Sequence, residues 1–248
     1  MKNQKSLSLK RRSYSAILMG FIGLCVTIAV SLITILIGYV LYRGLGHITW
    51  ELLSTARSAL RGTIGIFPNI LFTIYIIFTT LIIVLPVGIG AAVYLNEYAT
   101  NRRFVRAIEF ATETLAGIPS IIYALVGALI FVQVLGVSIL AGALTLSILS
   151  LPTIVRTTQE ALRTVPPSYR EGAFALGATK WYMIRTIILP SGLDGIITGV
   201  ILAVGRMVGE SAALLFTAGT GYFLVTNYFE ALQTSGGTLS VMLFIYAT

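Results

Sequence analysis

Arg206 and Glu210 carry charge inside an otherwise apolar run, residues 191–218, whose only other charge is Asp194 near its start. On a continuous helix a spacing of four puts both side chains on one face. A charge at membrane depth costs about 2.5–3.5 kcal/mol for arginine and by default marks a pathway or a binding site. Two readings fit the pair. Either the two charges neutralise each other and fasten helices together, or Arg206 faces a cavity and meets an anion while Glu210 fixes its orientation. A guanidinium presents a planar fork of donors that suits a tetrahedral oxyanion bidentately.

A second polar group is the island Arg156–Pro190, RTTQEALRTVPPSYREGAFALGATKWYMIRTIILP, set between two long apolar runs. It holds five of the seventeen Lys+Arg and two of the nine carboxylates in a chain that is only 10% charged. Pro166-Pro167 and Ser168 signal a helix start and Gly177 a stop, which predicts a short surface helix over residues 167–176. The small and acidic residues Glu171, Gly172, Ala173 and Gly177 suit close docking into a groove of another protein. A second helix over residues 180–189 leads back to the apolar phase, with Pro190 at its end. The island reads as a lever that takes force from a soluble partner.

Other chemistry finds no support. Cys25 is the single cysteine and His47 the single histidine, so neither an internal disulfide nor a Cys/His metal cluster can be built. No G-x4-G-K-[ST] phosphate loop and no nucleophile–base pair is present, so the chain reads as neither an ATPase nor another enzyme.

The elements that must position these residues are apolar helices. The chain is 56% hydrophobic, and residues 17–42, 62–96 and 114–155 carry no charge at all. A spanning helix needs about 20 apolar residues. The reading is an all-α integral membrane protein with a cytoplasmic tail at residues 1–14 and one transmembrane domain over residues 15–248. Spans are expected near residues 15–42, 70–95, 115–135, 137–155 and 191–218, with a partial sixth at 239–248. Residues 97–113 read as a charged loop, a tight hairpin is expected at Gly136, and the island 156–190 is the loop between spans four and five. The first apolar run is too long for the hydrophobic part of a signal peptide. Pro86, Gly88 and Gly90 fall inside the second span, where a membrane helix tolerates them. Gly195-x3-Gly199 and Gly205-x3-Gly209 are expected to admit a closely packed partner helix.

With the N-terminus inside, the segments facing the cytoplasm hold thirteen basic residues and the outer ones three, leaving only Arg206. This bias fits the positive-inside rule and puts the island in the cytoplasm. The net charge of +8 is accounted for in this way, and no basic stripe with interleaved aromatics points to nucleic acid.

Glu171-Gly172-Ala173, Gly177 and Ile187-Ile188-Leu189-Pro190 resemble the E-x-A-x3-G-x9-I-x-L-P signature of ABC-importer permeases. Gly172 stands where that family often has alanine. Gly205-Arg206-Met207-Val208-Gly209-Glu210-Ser211-Ala212, Leu214–Ala218, Gly117–Tyr123, Leu151-Pro152, Arg156 and Glu160-Ala161-Leu162 further resemble phosphate-importer permeases, especially PstA-type subunits. The resemblance covers roughly residues 65–218. It implies a type I importer bundle whose island is the coupling helix, seated in a cleft of an ATP-hydrolysing subunit. It also implies roles in phosphate passage for arginines matching Arg206 and Arg156. The implied partners are a second, similar permease, two ATP-binding subunits, an extracytoplasmic phosphate-binding protein and the bilayer of the bacterial inner membrane. ATP and magnesium would be used by the ATPase, with no cofactor on this chain. The family has six spans, where five and a stub are expected here. Rival readings are a permease for another substrate such as sulfate or molybdate, an ATP-independent anion channel or secondary transporter, and a membrane scaffold.

Overall fold

The computed structural model describes residues 2–58 and 63–247. Arg61 and Gly62 of the expected outer loop, the terminal Met1 and Thr248, and the side chains of the basic residues before Tyr14 lie outside the described residues. By internal contacts the chain divides into two units, Met1–Leu53 and Ser54–Thr248.

The first unit is dominated by α1 (Lys2–Gly44), which continues unbroken through residues 14 and 15. With the short turn Leu45–His47 it provides a 34-residue stretch, Tyr14–His47, long and apolar enough to cross a membrane. Its polar residues satisfy themselves locally: the Thr27 and Thr34 hydroxyls donate to the carbonyls four residues back. A short α2 (Trp50–Ser54) follows.

The second unit opens with an antiparallel pair, β1 (Ala56–Ser58) and β2 (Thr63–Ile66). Helix α3 (Phe67–Val93) starts with Pro68 in its first turn, where the missing N–H has no intrahelical partner to lose. It runs on through Pro86 and ends in one wide π turn, Tyr94–Tyr98. The expected charged loop at 97–113 is instead mostly helix: α4 (Arg102–Ala116) is capped by the Asn101 side chain, which accepts from the N–H groups of Arg103 and Phe104. Its charges fall on one side of the helix, an amphipathic pattern that needs no apolar majority.

The expected third span, 115–135, is also revised. The chain breaks at Gly117–Pro119, and α5 (Ser120–Gly127), a π turn (Ala128–Val132) and α6 (Gln133–Leu135) continue at 98° to α4. The hairpin at Gly136 is present, with φ at +71° in the left-handed region that glycine tolerates.

Helix α7 (Ile139–Thr164) does not stop at Val155 but carries Arg156, Glu160 and Arg163 on an exposed stripe while Ala161 and Leu162 stay buried. The island therefore starts inside α7 and leaves that helix only after Thr164. It then forms α8 (Pro167–Ala175), α9 (Lys180–Met183), a π turn (Ile184–Ile188) and α10 (Leu189–Ser191). Beyond Gly192, α11 (Leu193–Gly209) departs at 65° from the preceding Lys180–Ser191 helix. The expected fifth span, 191–218, is broken at Glu210–Ser211 before α12 (Ala212–Thr217). The polar loop that follows holds α13 (Tyr228–Gln233), and α14 (Leu239–Ala247) begins the expected sixth helix.

Helix α7 is the mast of this unit, with α3 along one side, α11 along another, and α5 and α12 against it. Phe72, Ile76, Ile139, Leu146, Ile154, Met207 and Leu214 fill the space between. The first N–H groups of the mast are satisfied by tertiary partners: Ser138 N–H donates to the Thr217 carbonyl and Ile139 N–H to that of Thr234. Among the described residues three helices are long and apolar enough to cross a membrane, or five if each bent pair is one span.

Candidate functional site

Arg206 lies in the last turn of α11, on the face left exposed by this chain, while Ala203 and Met207 of the neighbouring face are buried. No ion pair holds it among the described residues. The sequence reading placed Glu210 on the same helical face. Glu210 instead sits just past the helix end with extended backbone (φ −78°, ψ 115°). Its carboxylate accepts from the Ala213 N–H at the start of α12, and its carbonyl accepts from the Ser240 hydroxyl. Arg206 and Glu210 form no ion pair among the described residues, and the helix that would align them ends between them.

Helix α5, which carries Tyr123 and its hydroxyl, packs against α12, the helix that follows Glu210. That hydroxyl donates to the Leu115 carbonyl at 2.7 Å, bridging the break between α4 and α5. The fold thus brings residues 120–127 against 212–217, which are far apart in sequence.

Arg156 is placed differently. It is exposed, and it pairs with Glu113 of α4 at 3.1 Å and with Glu160 one turn along α7 at 3.1 Å. Arg163 pairs with Glu109. These groups, with Thr112 and Gln159, line a small polar cavity of about 110 Å³ between α4 and α7. Arg156 is therefore a rung in an ion-pair ladder as well as a candidate anion ligand. Among the described residues it makes no ion pair or hydrogen bond with Arg206.

Of the four expected packing glycines, two meet a partner. A Cβ at Gly195 would lie 2.6 Å from Ala161 Cβ, and one at Gly199 would overlap the Thr157 side chain, so α11 approaches α7 closely there. Around Gly205 and Gly209 a Cβ would meet nothing among the described residues of the second unit. On the helix that open surface borders Arg206 on one side.

The island builds a knob. Glu171 and Gly172 are exposed on α8, while Ala173 turns inward onto Val93, Leu162, Met183, Ile184 and Ile188. Gly177 ends the helix with φ at +76°, and its N–H and that of Ala178 donate to the Phe174 and Ala173 carbonyls. Tyr169, Phe174, Leu176, Trp181 and Tyr182 stand out around it, Leu176 at 90% exposure, which leaves a large apolar surface without cover in this chain.

Comparison with known proteins decides the family. The profile described as "Binding-protein-dependent transport system inner membrane component" matches residues 84–248. The chain belongs to that family. Among its relatives, the probable ABC transporter permease protein YqgI of Bacillus subtilis (strain 168) is 37% identical over 213 residues, covering 85% of this chain and 72% of the relative. The phosphate transport system permease protein PstA of Haemophilus influenzae is 34% identical over 236 residues, covering 95% and 79%. A solved MetNI methionine ABC transporter, in inward-facing conformations, shares the fold with a TM-score of 0.54 at 22% identity, over 79% of this chain and 80% of that one. The permease is thus a multi-pass inner-membrane component of an ABC transport system with the type I importer fold.

Sequence reasoning missed the residues that seat the knob on the permease. Arg170 of α8 grips Glu97 of the π turn after α3, and Lys180 lies 4.8 Å above the Tyr98 ring beside it. Glu97 and Arg170 are 73 residues apart, so no local spacing announces the pair. One rung of the ladder was findable: Arg156 and Glu160 stand at helical i, i+4 spacing.

Proposed function

We propose that the chain is the membrane permease subunit of an ATP-driven importer of inorganic phosphate. Arg206 carries this reading: it is a guanidinium on a helix in the bundle with no carboxylate partner among the described residues, beside the open surface at Gly205 and Gly209. A charge so placed is tolerable where it lines a water-filled cavity, and it favours an anion passing through. The 34% identity to a phosphate permease of Haemophilus influenzae selects phosphate among oxyanions. Arg156 is a secondary contact at best, since a passing anion would have to displace Glu113 and Glu160 from it.

The N-terminus lies in the cytoplasm, and so does the knob at Glu171–Gly177, the coupling helix for a separate ATPase. A second permease of similar fold packs against this one and completes the pathway. Two ATP-binding subunits use ATP and magnesium, an extracytoplasmic protein delivers phosphate, and this chain itself holds no cofactor. The exposed aromatic ring of residues around α8 is the surface such an ATPase would cover.

The test is radiolabelled phosphate uptake by cells carrying Arg206→Gln, with assembly of the complex measured in parallel. Lost uptake with normal assembly supports the reading. Normal uptake removes the substrate assignment, and uptake of sulfate in competition with phosphate would move it to oxyanions in general.

A further inference from the structure

The knob that meets the ATPase must be fixed to the helices it is to move. Its covalent link to α7 is only Val165-Pro166, and the fold adds a second attachment. Arg170 Nη2 and Nε donate to Glu97 Oε1 at 2.7 and 3.1 Å. The same guanidinium donates from Nη1 to the Val165 carbonyl and from Nη2 to the Leu162 carbonyl, each at 3.0 Å. These two carbonyls belong to the C-terminal end of α7, where helical partners run out. Glu97 Oε1 also accepts from Asn96 Nδ2 at 2.7 Å, and the Glu97 side chain is only 6% exposed. One planar fork thus ties α8, the end of α7 and the end of α3 together, immediately before Glu171. On the other flank of the knob, Lys180 Nζ sits over the Tyr98 ring, so both flanks grip adjacent residues of a single turn.

We infer that Arg170 and Glu97 form a strut that makes the coupling helix and the end of α3 move as one body, so that force from the ATPase reaches α3 as well as α7. Lys180 on Tyr98 is its weaker companion. Both residues are positioning residues: they touch neither nucleotide nor substrate. Helix α3 lies along α7, and α7 lies along α11, which carries Arg206. The strut therefore feeds two of the three packed helices between the knob and the anion site. A lysine at 170 would keep the charge but lose the fork, and could not reach the carboxylate and both carbonyls together.

This inference rests on the import reading, and the reconstituted complex separates the two. In proteoliposomes with phosphate-binding protein supplied, phosphate transported per ATP hydrolysed is measured for wild type, Arg170→Lys and Glu97→Gln. The ratio is expected to fall by roughly three- to tenfold in both variants, the size of effect seen when a coupling contact is altered remote from either ligand. A residue serving only to hold the fold would lower transport and hydrolysis together and leave the ratio unchanged, which would overturn the strut. A wild-type complex that hydrolyses ATP without moving phosphate would overturn the import reading and the strut with it. A second measurement does not depend on how the variants fold. Spin labels at Thr100→Cys and Ser168→Cys in a Cys25→Ser background report the distance from the end of α3 to α8. That distance is expected to be the same without nucleotide and with ATP bound; a shift between the two states would refute the rigid attachment.

Discussion

Arg170 and Arg206 are the same side chain put to opposite uses. Arg170 directs its donors at two helix-end carbonyls and a carboxylate that is almost wholly buried. Arg206 stands exposed, with no carboxylate paired to it among the described residues and with open space beside it at Gly205 and Gly209. A saturated guanidinium stiffens what it touches, whereas an unsaturated one retains its donors for something that arrives. On the proposed reading, the contrast separates what would transmit force from what would recognise an anion.

The comparison breaks first at stability. Replacing Arg170 by Gln leaves the buried Glu97 without its cation, and removing one partner of a buried pair costs roughly 3 kcal/mol. Thermal unfolding of the purified complex should therefore show a clear drop for Arg170→Gln. Arg206→Gln should change stability by less than about 0.5 kcal/mol, as expected where no structural contact is lost. Equal losses for the two would erase the distinction. Next in size is the glycine seam. Gly199→Val would force its side chain into Thr157 and should cost about 1–3 kcal/mol. Gly205→Ala, next to Arg206, should be neutral in stability, and a binding or uptake defect without a stability defect would sharpen the view that its surface is reserved for a partner or a pathway. The smallest effect is expected at Arg156. Its ion pairs with Glu113 and Glu160 are exposed, so Arg156→Gln should cost at most about 1 kcal/mol, and less at high salt.

Much of this molecule is legible in one dimension because a membrane helix must satisfy its own backbone and therefore shows as a long apolar run. The runs at 17–42 and 62–96 became α1 and α3, and the turn signals at Gly136 and at Pro167 to Gly177 became the hairpin and α8. Charge was the misleading signal. Residues 97–113 and 156–164 look like loops for being charged, yet 102–113 and 156–164 are helical, because an amphipathic helix at the edge of a bundle needs only one apolar stripe. The placement of Glu210 beside Arg206 assumed a helix that continues, and nothing local in Gly209-Glu210-Ser211 outweighs the tertiary contacts that end it. Arg170 and Glu97 were invisible for a simpler reason: their pairing exists only once α3 and α7 have packed.

The most direct test of the account is the initial rate of phosphate uptake per assembled complex, wild type against Arg206→Gln. Losing a charge-assisted pair of hydrogen bonds to an anion should slow it by roughly tenfold to a hundredfold, with the melting temperature unchanged. An uptake rate equal to wild type in a fully assembled complex would contradict the assignment of Arg206 to the anion.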